Sequence, residues 1–255
     1  MKTKRLIPFA AIAFALILSA CTSGSGVAGF WNKQDITITE SNYREAEDRF
    51  ARFAELAVKA PQEKALAGLD ALMDKLKTDE VSYYVYSEWI VMAFHSLLSP
   101  CRNTELFSKA VERFSTDGVM SEDEYRPFAE LAAKDRLNAP GTDCIIPQLY
   151  DANGAPAPWE PGAETLFLVV NLDCATCVAA LHALADEPGE HIALCFGFTP
   201  APSVPGWEYR YSNELGSVFD TEAAPFWFTV GADGKVVKPI SPAPDYNAFA
   251  TPDNK

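Results

Sequence analysis

The chain has 255 residues, of which 48% are hydrophobic and 22% charged, as expected for a folded protein with one large or two small domains. This composition excludes collagenous, low-complexity and wholly disordered chains. The 35 acidic residues outnumber the 21 Lys and Arg residues, so the net charge is −14 at pH 7. Because nucleic acids and anionic lipid surfaces would repel such a chain, neither is an expected partner.

The first twenty residues have the composition of an export signal. Lys2, Lys4 and Arg5 precede an uncharged, mostly apolar run over residues 6–20. That run is shorter than the ~20 residues a membrane-spanning helix needs. Small residues stand directly before Cys21, an order that resembles the lipobox of bacterial lipoproteins. The resemblance implies a lipid anchor at Cys21 and a cell-envelope protein that faces the periplasm. The alternative is an ordinary secretory signal followed by a chance cysteine.

The remainder of the chain divides near residue 139. Residues 21–34 begin with a Ser- and Gly-rich stretch that predicts a flexible tether. Hydrophobic residues then recur with helical spacing up to residue 138, which predicts an all-α domain over residues 35–138. Within it, residues 81–98 predict a buried central helix. Proline and glycine become frequent at the boundary, so a second domain is predicted over residues 139–255.

The second domain alternates strand and helix patterns. Residues 165–172 form a continuous apolar run typical of a strand buried on both faces, and residues 191–197 predict another. A helix is predicted over residues 178–185, a short strand over residues 145–150 and a hairpin over residues 226–238. These elements predict an α/β domain that follows the helical one.

Cys174 and Cys177 form a CxxC motif where the buried strand ends and the helix begins. A helix N-terminus stabilises a thiolate at the first cysteine, and the second is close enough to resolve a mixed disulfide. Half of a zinc site has the same spacing, but no second CxxC or His pair follows, so no metal is expected. An inert structural disulfide is the other alternative.

Residues 140–240 resemble a thioredoxin-like domain of the membrane-anchored type. The resemblance rests on FLVVNLDCATC, on Ala-Ala-Pro-Phe-Trp-Phe around Pro225 and on Asp-Gly-Lys at residues 233–235. It implies that Pro225 is cis beside the CxxC and that Ala224 offers its backbone as an edge to a substrate strand. The segment Ser-Pro-Cys-Arg-Asn-Thr-Glu-Leu at residues 99–106 resembles lipoproteins of Gram-negative gut bacteria that join a helical domain of unknown function to a thioredoxin-like domain.

Three residues depart from the thioredoxin-like pattern. Asp173 replaces the usual Trp before the first cysteine, and its charge is expected to oppose formation of the Cys174 thiolate. Leu168 replaces a buried acid that serves as proton acceptor, and Ala180 replaces a Glu found in membrane-anchored relatives. These departures predict slow chemistry.

The sequence supports only weaker expectations for the remaining cysteines and histidines. Cys101 and Cys144 both lie near the domain junction, where a structural disulfide could join them. Cys195 lies in a predicted buried strand and is expected to be a small core residue. His95, His182 and His191 lack ligand spacing and are expected to be structural.

These patterns predict a thiol-disulfide oxidoreductase without a cofactor, in which Cys174 is the nucleophile, Cys177 the resolving thiol and Pro225 a residue that shapes the site. Its expected partners are protein thiols or disulfides and a redox partner protein. The alternative is a non-enzymatic lipoprotein whose helical domain binds a partner and whose thioredoxin-like domain is a disulfide-stapled scaffold.

The lipid anchor is testable in cells. Metabolic labelling with palmitate is expected to mark the wild type and not Cys21→Ala, because the acyl chains attach at that cysteine. Undiminished label in the variant would contradict the assignment of Cys21.

Overall fold

A computed structural model describes residues 26–197 and 199–244 of the chain. The predicted signal segment and Cys21 lie outside these residues. The described chain consists of a helical half, residues 26–138, and a sheet half, residues 139–244. No helix within these described ranges is long and apolar enough to cross a membrane.

The helical half contains five α-helices around one hydrophobic cluster. They are α1 (Tyr43–Ala57), α2 (Gln62–Leu76), α3 (Glu80–Ile90), α4 (Thr104–Thr116) and α5 (Glu122–Asp135). A short 3-10 turn, Val27–Gly29, precedes them, and Val27 and Trp31 are buried in the same cluster. The predicted tether over residues 21–34 is therefore wrong for residues 27–31, because these apolar side chains pack into the core.

The predicted central helix over residues 81–98 changes its geometry partway. After α3 the backbone forms a π-helical turn, Val91–His95, and then leaves the helical conformation at Ser96. π-helical turns are rare in proteins, and those that occur often lie at functional sites. The turn ends at His95, whose side chain is buried.

The sheet half contains one five-stranded mixed sheet. Its strands are β1 (Thr165–Asn171), β2 (Glu190–Phe196), β3 (Trp207–Tyr211), β4 (Phe226–Val230) and β5 (Val236–Pro242). The order across the sheet is β3-β2-β1-β4-β5. β1 pairs in parallel with β2 and antiparallel with β4. The helix α6 (Ala175–Ala183) follows β1, and a short helix α7 (Leu215–Val218) precedes β4.

Strand β1 is buried on both faces, as the apolar run predicts. Leu166, Leu168 and Val170 face one cluster, which also contains residues of α6. Phe167 and Val169 face the opposite cluster, which contains residues of α7 and β4. This alternation follows from the period of two along a strand.

One prediction about the sheet is wrong, and one strand was missed. Residues 145–150 do not form a strand, because only Tyr150 makes bridges, to Pro156 and Tyr211. Residues 141–144 instead pair with the turn before β5 and with its first residue: the Cys144 amide donates to the Gly234 carbonyl and the Gly141 amide to the Val236 carbonyl, each at 2.8 Å. Strand β3 was not predicted from the sequence, and its short, half-polar segment WEYRY explains why.

Polar side chains join the two halves. His95 Nδ1 lies 2.8 Å from Asp135 of α5, and His95 Nε2 lies 3.2 Å from Asp220 of the sheet half. Arg102 also contacts Asp135, at 2.9 Å. Burial alone would lower the His95 pKa, but the hydrogen bonds and charges of Asp135 and Asp220 outweigh burial and raise this pKa to about 9.

This link predicts a pH-dependent stability. The His95 pKa is raised from 6.5 to about 9 on folding, so its stabilising contribution is fully present below pH 6.5 and is lost as pH rises through about 9. The free energy of unfolding of wild type is expected to exceed that of His95→Gln by roughly 2 kcal/mol at about pH 6, and by much less at about pH 10. Urea unfolding at both pH values measures the difference. A difference that stays constant with pH would contradict the charged link.

Candidate functional site

The two cysteines of the CxxC motif lie at the carboxyl end of the central strand. Cys174 is the N-cap of α6, and Cys177 lies in the first turn of that helix. Asn171, the last residue of β1, fixes both: its carbonyl accepts from the Cys174 amide at 3.1 Å, and its amide donates to Cys177 Sγ at 3.3 Å. Both thiols are free in this structure. The predicted placement of the motif between strand and helix is confirmed, although α6 begins at Ala175 and not at residue 178.

The environment of Cys174 favours its thiolate. The Thr176 hydroxyl lies 2.9 Å from Cys174 Sγ, and its hydrogen bond is the largest cause that lowers the Cys174 pKa. Burial opposes this, because Cys174 is half-buried, but the backbone amides of Cys177 and Thr176 add to the lowering. A thiolate at this position is the form that attacks a disulfide.

The environment of Cys177 favours the neutral thiol. Cys177 is completely buried, and burial raises its pKa to about 12. Leu168, Ala180 and Cys177 pack in the same hydrophobic cluster. The two positions at which an acid could have accepted the Cys177 proton are thus filled by apolar side chains.

Asp173 is held by the loop that follows β2. Its carboxylate accepts hydrogen bonds from the Thr199 amide, at 3.0 Å, and from the Thr199 hydroxyl. Gly197 has a φ of 102°, and a Cβ there would lie 2.7 Å from both Asp173 Oδ2 and Asn171 Oδ1. Glycine at this position therefore lets the loop approach Asp173 closely. These hydrogen bonds leave the negative charge of the carboxylate in place, but the main influences on the Cys174 pKa are the Thr176 hydroxyl, burial and nearby backbone amides.

Pro225 and Ala224 lie at the same end of the sheet as the two cysteines. The Ala224–Pro225 bond is cis, as the resemblance implied. β4 begins at Phe226 and pairs antiparallel with Val169 of β1, so Pro225 lies beside the end of β1 from which the CxxC follows. Ala224 and Cys174 pack against the hydrophobic cluster that contains Cys177.

Of the other cysteines, Cys101 and Cys144 lie away from this site, whereas Cys195 packs in the same hydrophobic cluster as Cys177. Cys101 packs in the cluster of the helical half, whereas Cys144 packs against a cluster of the sheet half. Both are free thiols, so the disulfide proposed between them is absent from this structure. Cys195 is completely buried in β2, where it is a small core residue as predicted.

Sequence reasoning missed three contacts of the site. Thr176 was visible inside the CxxC motif, and a hydroxyl two residues after a helix N-cap is a signal that could have been used. The contact of Thr199 with Asp173 and that of His95 with Asp220 join residues 26 and 125 positions apart. No local pattern predicts such pairs. Among residues 26–197 and 199–244, no group of three or more His, Cys, Asp or Glu side chains is arranged to hold a metal ion.

Comparison with known proteins identifies the fold. No protein-family model matches the chain, and no curated protein matches it. A solved structure of a thioredoxin-like protein from Bacteroides caccae superimposes with a TM-score of 0.66 at 16% sequence identity, over 84% of this chain and 86% of that chain. The C-terminal domain of an uncharacterized protein from Bacteroides fragilis matches 42% of this chain and 90% of that chain, at 17% identity and a TM-score of 0.31.

The first of these structures establishes the fold class. The chain has a thioredoxin-like fold, in which a helical region of five helices precedes the mixed five-stranded sheet. The expected fold class is therefore confirmed.

The contact with Thr176 gives a direct prediction. Thr176→Val removes the hydroxyl while it nearly preserves the shape, so the Cys174 pKa is expected to rise. Asp173→Asn is the comparison variant, and it is expected to lower this pKa by less than Thr176→Val raises it, because Asp173 is not among the main groups that shift the Cys174 pKa. Titration of the thiolate absorbance measures both. A larger change in Asp173→Asn than in Thr176→Val would contradict this ranking.

Proposed function

We propose that this chain is a lipid-anchored thiol-disulfide exchange protein of the cell envelope, with Cys174 as nucleophile and Cys177 as resolving thiol. The observation that carries the proposal is the opposite environment of two thiols in one helical turn. The Cys174 pKa is lowered at a half-buried position, and the Cys177 pKa is raised to about 12 by complete burial. In such a pair, one thiol ionises more readily for attack, and the other stays protonated until the resolving step.

The first step joins the client to Cys174. The Cys174 thiolate attacks one sulfur of a client disulfide, so a Cys174–client S–S bond forms and the client S–S bond breaks. The other client sulfur leaves as a thiolate. The Thr176 hydroxyl lies 2.9 Å from Cys174 Sγ, where it can stabilise the charge before attack.

The second step releases the client. Cys177 loses its proton to the departing client thiolate or to water and attacks Cys174 Sγ. The Cys174–Cys177 bond forms, the bond from Cys174 to the client breaks, and the client leaves with its second thiol. Two electrons have then passed from the CxxC pair to the client, and a dithiol partner protein would restore the pair. All steps are reversible.

Resolution is expected to be the slow step. Burial keeps Cys177 protonated, and Leu168 stands where an acid would accept the proton. The mixed disulfide should therefore persist.

The cis-Pro225 edge and Ala224 lie at the same end of the sheet as Cys174, which supports their role in holding the client strand.

The anchor and the compartment are supported by the sequence alone. The basic start, the apolar run over residues 6–20 and Cys21 are typical of a bacterial lipoprotein. An exported protein meets an oxidising compartment, where client disulfides occur. Attachment to the membrane would keep the site near other exported proteins.

The resolving step gives the test of this proposal. A mixed disulfide between Cys174 and a model disulfide peptide is expected to decay about tenfold faster per pH unit between about pH 7 and pH 9, because the Cys177 thiolate fraction rises in that proportion. Quenched reactions analysed by mass spectrometry measure the decay.

Two variants complete this experiment. Cys177→Ala is expected to trap the mixed disulfide at every pH. Cys101→Ala removes a buried thiol in the separate cluster of the helical half and should leave the decay unchanged. Failure of the wild type to form any mixed disulfide would contradict the proposed exchange. Equal trapping in both variants would contradict the assignment of Cys177.

A further inference from the structure

A groove lies beside the cis-Pro225 edge and is lined by both halves of the chain. It has a volume of about 290 Å³. Ser96, Leu97 and Leu98 line it from the helical half, and Ala224, Pro225 and Ala243 line it from the sheet half. The groove is therefore continuous with the edge that the proposed function assigns to the client.

The His95 link fixes the two walls of the groove relative to each other. His95 directly precedes the wall residues Ser96–Leu98 and contacts Asp220 at 3.2 Å. Asp220 is the N-cap of the 3-10 turn Thr221–Ala223, where its side chain accepts from the Glu222 amide. That turn leads directly to Ala224 and Pro225. The helical half is thus held at the edge of the exchange site.

Three groups at the groove are open to a binding partner. Leu98 is 65% exposed, so most of this apolar side chain is open to a partner. Glu222 presents an exposed carboxylate at the rim. The Ala224 carbonyl accepts no hydrogen bond from any residue within 26–197 or 199–244. An apolar contact, a cation and a backbone amide are the complementary partners.

We propose that this groove binds the extended segment next to the reacting cysteine of a client protein, and that the helical half thereby selects clients. A client amide donates to the Ala224 carbonyl, an apolar client side chain packs on Leu98, and a Lys or Arg of the client pairs with Glu222. The net charge of −14 favours the approach of such basic segments. This inference rests on the proposed function and assigns its specificity.

The test compares two substrates of the full chain. One is a peptide whose cysteine is joined to glutathione and flanked by Leu and Arg, and the other is oxidised glutathione, which is too small to fill the groove. The measured quantity is the ratio of kcat/KM for the peptide to kcat/KM for oxidised glutathione. In Leu98→Asp this ratio is expected to fall about tenfold, mainly through the KM for the peptide.

Matched variants separate the groove from general effects. Val81→Asp makes the same chemical change at an equally exposed site, since Val81 and Leu98 are each 65% exposed, and the ratio should stay at its wild-type value. Glu222→Gln is expected to remove the preference for Arg over Gln in the peptide and to retain the preference for Leu.

Two failures have different meanings. If wild type reacts with oxidised glutathione but its ratio is unchanged in Leu98→Asp, or falls equally in Val81→Asp, the groove assignment is overturned. If wild type reacts with neither substrate, the proposed exchange function itself fails, and the groove assignment fails with it.

Discussion

The position of the proposed exchange site depends on the pairing of strand β1 on both of its sides. β1 pairs in parallel with β2 and antiparallel with β4, and its residues are buried on both faces. Its last residue, Asn171, then holds Cys174 and Cys177 through backbone hydrogen bonds. The antiparallel partner β4 brings Pro225 to the same end. The position of β1 thus determines the positions of both thiols and of Pro225.

Hydrogen bonding at Cys174 and burial at Cys177 give the two thiols opposite pKa shifts. Their pKa values move in opposite directions, although Cys174 and Cys177 are only three residues apart. Cys174 is at the helix N-terminus beside a hydroxyl, whereas Cys177 is completely buried in a cluster that contains Leu168. The same apolar packing that stabilises the sheet therefore keeps the second thiol protonated. Packing and reactivity are coupled here.

Local patterns were sufficient to predict the central strand, the CxxC at its end and the α/β arrangement. The apolar run at residues 165–172 and the change of periodicity after it carry strong signals. The strand expected at residues 145–150 is absent, because Ile146 and Leu149 pack against the core while only Tyr150 makes bridges. The burial of Trp31 and the contact of His95 with Asp220 depend on residues far apart in sequence. Periodicity holds no information about such pairs.

The central claim is that Cys174 and Cys177 exchange electrons with other thiols and do not merely staple the fold. The reduction potential of this pair, measured by equilibration with glutathione or a dithiol of known potential, tests the claim directly. We expect a value between about −270 and −120 mV, the range of proteins that exchange disulfides. A value well below about −300 mV, typical of structural disulfides, would contradict it.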